Sequence, residues 1–269
     1  MTTESPSLPW PKATLARLRG LLCDIDGTIT SDGRLSAAAY GALEALQSAG
    51  LLVIPVTGRP AGWCDLIARF WPVAAVVGEN GAFYFRYDHA MRRMTRRYAR
   101  SDAERAADRA RLAEIGAHVL RAVPAARLAA DQAYREADLA IDYCEDVAPL
   151  PADEVQRIVE LLAAQGLTVK VSSIHVNAWF GQYDKLTMTR RLMQEQFGVD
   201  LERSREALAF VGDSPNDEPM FAFFPISAAV ANIAHFAHSL VHRPAHVTAE
   251  AEGAGFAEFA QQLLAARMR

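Results

Sequence analysis

Four short apolar runs along the chain end abruptly in small and polar residues. Leu21, Leu22 and Cys23 lead into Asp24, Ile25, Asp26, Gly27 and Thr28, and residues 51–56 lead into Thr57, Gly58 and Arg59. Residues 73–77 run into Gly78, Glu79, Asn80 and Gly81, and residues 207–211 into Gly212 and Asp213. Such runs, bounded by turn formers, predict strands buried on both faces. Between the first two, Ser36 opens an alanine-rich helix that carries Leu43 and Leu46 on one face and stops at Gly50. With Pro60 placed to open the next helix, this is a βαβ unit, so a parallel sheet with right-handed crossovers is expected.

The pattern changes after residue 82. Residues 83–100 are aromatic and basic, with six arginines against one aspartate, and read as a hairpin. Ser101 then caps a helix to about residue 121, in which Leu112, Ile115 and Val119 keep helical spacing. A strand over 139–143, a helix over 151–165 and a strand pair over 167–171 and 174–178 follow. This block is of domain size and interrupts the parallel pattern. Tyr183, Asp184 and Lys185 open the next helix, and an apolar segment near 225–232 with a closing helix completes the chain. The expected architecture is α/β: a Rossmann-like parallel sheet core from residues 1–82 and 183–269, with an α+β cap domain, residues 83–182, inserted. Residues 1 to about 18, with Pro6, Pro9 and Pro11, read as a loose arm.

Composition narrows the class without naming a function. A net charge of -4 and a pI near 6.0 argue against nucleic-acid binding by bulk electrostatics. The chain lacks an apolar signal region at its start and any long apolar span, so a cytoplasmic protein with no membrane segment is expected. Cys23, Cys64 and Cys144 are too scattered for a disulfide framework or a zinc site. His235, His238, His242 and His246 lack metal-ligand spacing and read as surface or cap residues. The arginine-rich hairpin reads either as a solvated edge or as a cationic rim for a phosphorylated substrate.

In open α/β sheets ligands bind beyond the carboxyl ends of the strands. Strand alternation would put Asp24 and Asp26 on one side there. Two such acids suit a hard cation such as Mg2+, and equally nucleophilic or acid/base work. Thr57, with free backbone N–H groups at a helix start, suits phosphate oxygens, although T-G-R alone also reads as a helix cap followed by a surface arginine. In isolation Lys185 reads as surface charge and residues 212–217 as turn chemistry.

Taken in order, DIDGT, TGR, the lysine of YDK and GDSPND resemble the four motifs of the haloacid dehalogenase superfamily of phosphatases and phosphomutases. The place of the inserted block and the segment Glu79, Asn80, Gly81 and Ala82 resemble its sugar-phosphate phosphatase subgroup, Cof-like enzymes included. That resemblance implies Mg2+-dependent hydrolysis of a small phosphate monoester, expected to be a sugar phosphate, through an aspartyl-phosphate. It implies Asp24 as nucleophile and Asp26 as general acid and base. Mg2+ would be held by Asp24, the backbone carbonyl of Asp26 and Asp213, with Asp217 as ligand or support. Thr57, Gly58 and Lys185 would hold the phosphoryl oxygens, joined by Arg59 and Asn216. The implied partner is a small phosphorylated metabolite, with no nucleic acid and no membrane. Three alternatives share the core: a phosphosugar mutase, a carbon–halogen hydrolase that needs neither Asp26 nor Mg2+, and a non-catalytic binding protein. In the cap, His175, Asn177, Trp179 and Arg86 are specificity candidates by position.

Overall fold

The computed structural model describes residues 12–267. The chain begins with α1 (Lys12–Ala16), β1 (Gly20–Cys23), the antiparallel pair β2 (Thr30–Ser31) and β3 (Arg34–Leu35), α2 (Ala37–Ser48), β4 (Leu52–Pro55), α3 (Ala61–Phe70) and β5 (Val76–Gly78). The hairpin β6 (Phe83–Asp88) and β7 (Arg93–Tyr98) is followed by α4 (Asp102–Ala122), β8 (Arg127–Leu128), β9 (Asp138–Asp142), α5 (Ala152–Ala163), β10 (Thr168–Val171) and β11 (His175–Trp179). Then come α6 (Lys185–Phe197), α7 (Leu201–Ser204), β12 (Leu208–Gly212), α8 (Glu218–Phe223), β13 (Ile226–Ala229), β14 (His246–Val247) and α9 (Glu252–Arg267). These form two compact units: one runs to Pro55 and resumes over Val199–Asp213 and from Asp217 onward, and the other comprises Val56–Gly198 and Ser214–Asn216.

The first unit is built on a five-stranded sheet ordered β14-β13-β12-β1-β4, with every pairing parallel. All four residues of β1 are buried, which is why it reads as a continuous apolar run rather than an alternation. Leu22 lies in register between Phe210 and Ile54. The helix over Ala37–Ser48 starts where expected, with Ser36 Oγ accepting from Ala39 N at 3.1 Å and Leu43 and Leu46 turned into the core. The expected N-terminal arm is more ordered than its prolines suggest. Residues 12–16 are helical, with Leu15 and Leu18 buried three residues apart, and Arg267 Nη1 donates to Leu18 O at 2.6 Å. Burying two leucines is worth roughly 1.5–3 kcal/mol each, enough to hold a single turn in place. Residues 1–11, and the prolines they contain, lie outside the described residues.

In this sheet β1 lies between β4, which follows it in the chain, and β12, which comes far later. The strand order therefore reverses at β1, and the crevice beyond the carboxyl ends of β1 and β12 is the topological switch point where such sheets bind ligands.

The second unit holds two further sheets. One is β5-β6-β7, antiparallel throughout. The strand predicted over 73–77 is shorter, Val76–Gly78, and its parallel pairing is the single bridge Val56–Val77. The other sheet is antiparallel and ordered β10-β11-β9-β8. Its two faces differ. Leu139, Ile141, Val176 and Ala178 pack with Leu112 and Val119 of α4 and with Ile158 and Leu162 of α5 in a separate apolar core. The alternate positions Asp138, Asp142, His175 and Asn177 form the other face, because the register sets His175 opposite Asp142 and Trp179 opposite Asp138. Among the described residues, no helix is long and apolar enough to cross a membrane.

Candidate active site

At the carboxyl edge of the first unit, the ladder's last step is Asp24 N donating to Val211 O at 2.9 Å. Beyond it the chain winds into a turn on one carbonyl: Ile25 O accepts from the amides of Thr28, Ile29 and Thr30 at 2.9–3.2 Å and from Thr30 Oγ1 at 3.1 Å. Gly27 has φ of 68°, and a Cβ there would strike the carboxylate of Asp213, so the motif's glycine is required twice over. The strand ends at Cys23, so its alternation does not extend to Asp24 and Asp26. Asp24 is 3% exposed, whereas Asp26 is half-buried.

Three carboxylates converge here: Asp24, Asp213 and Asp217 offer oxygens that all lie within 4.8 Å of one another, and all three residues are buried. Asp213 and Asp217 come from the end of β12. Asp217 Oδ2 accepts from Asp213 N at 3.0 Å, and a Cβ on Gly212 would collide with that carboxylate. Asn232 Nδ2 orients Asp213 through Oδ2 at 3.0 Å while donating also to Gly27 O at 2.9 Å. Three buried anions this close repel one another strongly, and an all-oxygen donor set is what a hard divalent cation takes. The group fits Mg2+.

The second unit carries the other expected residues. Thr57 N donates to Val77 O at 2.9 Å, Asn80 N donates to Thr57 O at 3.0 Å, and Arg59 N donates to Thr57 Oγ1 at 3.0 Å, which fixes a tight loop at the start of α3. The turn of Glu79, Asn80 and Gly81 holds this loop. Glu79 and Asn80 are both left-handed, with φ of 43° and 53°. Asn80 Oδ1 accepts from Asn216 Nδ2 at 3.0 Å, and Gly81, at φ 104°, lies so close to the Asp184 carbonyl and Lys185 N that a Cβ would clash. One turn thus gathers Thr57, Gly58, Asn216 and the fully buried Lys185.

Sequence reasoning missed the polar network around that turn. Glu79 is fully buried and accepts backbone N–H bonds from Ala61 at 3.0 Å, Glu136 at 2.9 Å, Ala137 at 2.6 Å and Asp138 at 3.2 Å. Burial, reinforced by the charge of Asp138, pushes its carboxyl up to about 8 against the pull of those donors. Arg135, also buried, bridges Asp131 and Asp138, each at 3.0 Å, and donates to Gly58 O at 2.9 Å. Arg59 does not extend as an open cation. Its guanidinium pairs with Asp131 at 3.2 Å and Glu145 at 2.5 Å, and it lies 4.3 Å over the Trp63 ring. Burial raises the Glu145 carboxyl, but the bonds from His175 at 2.9 Å and from Arg59 outweigh it and hold the group at about 2. Asn177 Nδ2 donates to Asp138 Oδ2 at 3.0 Å. Of the four cap candidates, His175 and Asn177 belong to this network, Trp179 is buried and stacked on Tyr183, and Arg86 bonds to Gln196. The charge spacing Asp131, Arg135, Asp138 ahead of a strand was the legible signal for the rest.

An α/β protein with an acid cluster at its switch point and a phosphate-type loop after the next strand is the class this geometry defines. Residues 21–115 match the family model of haloacid dehalogenase-like hydrolases. A phosphoglycolate phosphatase of Methanospirillum hungatei is 39% identical over 72 residues, 25% of this chain and 30% of that protein, so the match spans under a third of the relative. Among solved structures, the C-terminal domain of C. albicans trehalose-6-phosphate phosphatase superposes with a TM-score of 0.69 at 14% identity, covering 97% of this chain and 99% of the other. The sucrose-phosphatase of a Synechocystis species, in complex with sucrose and phosphate, gives 0.59 at 15% identity, covering 91% and 98%. At these identities the structural likenesses speak to the fold.

Proposed function

We propose that the protein is a Mg2+-dependent phosphatase that hydrolyses a small phosphorylated metabolite through an aspartyl-phosphate, with sugar phosphates the first class to test. The observation that carries this is the buried triad of Asp24, Asp213 and Asp217 at the sheet's switch point. The cation held by those three and by the Asp26 carbonyl would supply charge neutralisation at the transferring phosphoryl group. Asp24 attacks phosphorus, and the ester bond to the leaving oxygen breaks. Asp26, half-buried and outside the acid triad, gives that oxygen its proton and then takes one from the water that cleaves the aspartyl-phosphate. Thr57, Gly58, Lys185 and Asn216 hold the phosphoryl oxygens, and residues 83–182 act as the cap that excludes water. Arg59 ties the loop to Asp131 and Glu145 and so serves the phosphate site by position.

The names of the similar proteins support a phosphatase and leave the leaving group open, between an acid-bearing ester such as phosphoglycolate and a neutral sugar. A panel of phosphorylated metabolites, assayed with Mg2+ for kcat/KM, tests the proposal. Turnover should require Mg2+ and be inhibited by Ca2+, whose looser coordination would draw both Asp24 oxygens onto the metal. Undiminished turnover in EDTA after metal stripping would contradict it. A strict requirement for a bisphosphate would favour the mutase.

A further inference from the structure

The polar face of the β10-β11-β9-β8 sheet belongs to the same unit as the phosphate loop and lies against it. A Cβ built on Gly58 would sit 3.7 Å from Asn177 Oδ1 and 3.2 Å from Asn80 Nδ2, and Arg135 reaches Gly58 O from the same network. An ester whose phosphoryl group rests at Thr57 and Gly58 therefore meets this face with its leaving group. Nearly every charge on the face is already matched. Arg59 and Arg135 are shared among Asp131, Asp138 and Glu145, His175 bonds Glu145, and Asp142 accepts the amides of Cys144, Glu145 and Asp146.

Lys170 is the exception. It stands directly opposite Asn177 in the β10–β11 register, so the two side chains share a face at adjacent positions. Its neighbours Val169 and Val171 turn the other way, onto the apolar core. Among the described residues, its ammonium has no ion-pair or hydrogen-bond partner. In a chain whose cations are nearly all arginine, with lysine only at positions 12, 170 and 185, this is a compact point charge rather than a fork. One unmatched positive charge is neutralised by one carboxylate, while a second phosphate would overshoot it.

Resting on the phosphatase reading above, we infer that Lys170 is a specificity-determining residue that selects esters whose leaving group carries a carboxylate. The competing role is edge protection, since β10 ends its sheet and an edge lysine discourages strand pairing.

Two matched pairs separate these: 3-phosphoglycerate against glycerol 3-phosphate, and 6-phosphogluconate against sorbitol 6-phosphate. The wild type should favour the acid in each pair by kcat/KM. Lys170→Met should cut that preference about 10- to 100-fold, the range of a charge-assisted hydrogen bond, and Lys170→Arg should keep most of it. Calorimetric binding of the same four esters to Asp24→Asn protein, with and without Lys170→Met, reads the preference without turnover. A Lys170-dependent preference in binding, with no hydrolysis of any ester, supports the inference and overturns the phosphatase reading instead. A wild type that favours the neutral member of both pairs, or a ratio unmoved by Lys170→Met even as aggregation rises, overturns the inference.

Discussion

The two compact units meet the cost of buried charge in opposite ways. In the second, cations and anions are interleaved: Arg59 and Arg135 sit among Asp131, Asp138 and Glu145, and Glu79 is surrounded by four backbone donors. Such a network is satisfied from within, and its return is rigidity. In the first, the carboxylates of Asp24, Asp213 and Asp217 converge, with oxygens within 4.8 Å of one another. An all-oxygen set of this kind is what a hard divalent cation takes. The interleaved arrangement ties distant elements of its unit together, and the convergent one gathers carboxylate oxygens at one point.

The sharpest contrast comes from substitutions in the acid group. Asp24→Asn should abolish product formation with every ester, because it removes the proposed nucleophile, and residual turnover would move that role elsewhere. Asp26→Ala should slow formation of the phosphoenzyme from a sugar phosphate by about 10² to 10⁴, the range of general acid catalysis. With p-nitrophenyl phosphate, whose leaving group is stable as an anion, that step should hardly change. A burst of nitrophenolate ahead of slow turnover is the expected trace, and equal slowing for both esters would remove the acid role from Asp26.

Changes in the balanced network should read out as stability first. Glu79→Ala leaves four backbone donors facing a void and should cost roughly 3–5 kcal/mol in chemical denaturation. A loss near zero would mean that water satisfies those amides. The smallest effect is one of pH. The Glu145 carboxyl is held at about 2 in the folded protein against an ordinary 4.5, so the unfolded chain binds the extra proton between those values. Its contribution is whole above pH 4.5 and fades as pH falls towards 2. Glu145→Gln should flatten this part of the acid-stability curve, and a variant with the same acid slope as the wild type would contradict the pairing with His175 and Arg59.

The difference between the units also explains what the sequence made legible. The strands β1, β12 and β13 of the first unit are buried throughout, so their apolar runs stand out, and Asp24, Asp213 and Asp217 lie just beyond β1 and β12 where the pattern breaks. The second unit hides its logic in pairing. Arg59 was legible as a cation beside the Thr57 loop, but its partner Glu145 lies 86 positions further on, and periodicity carries no information about such a pair. Glu79 looked like a turn residue, and its role as acceptor for four amides depends on the backbone of residues 136–138. For Asp26 alternation is no guide, because it applies only while the strand lasts, and β1 gives way at Cys23 to a turn in which three amides bond to Ile25 O.

The proposed mechanism requires that Asp24 become covalently phosphorylated. Asp26→Ala protein, mixed with p-nitrophenyl phosphate and Mg2+, quenched in acid during the burst and digested for mass spectrometry, tests it directly. The predicted result is a phosphoryl group on the peptide containing Asp24, at its side chain, absent when Mg2+ is withheld. Phosphate on any other residue, or a nitrophenolate burst with no phosphorylated peptide, would contradict it.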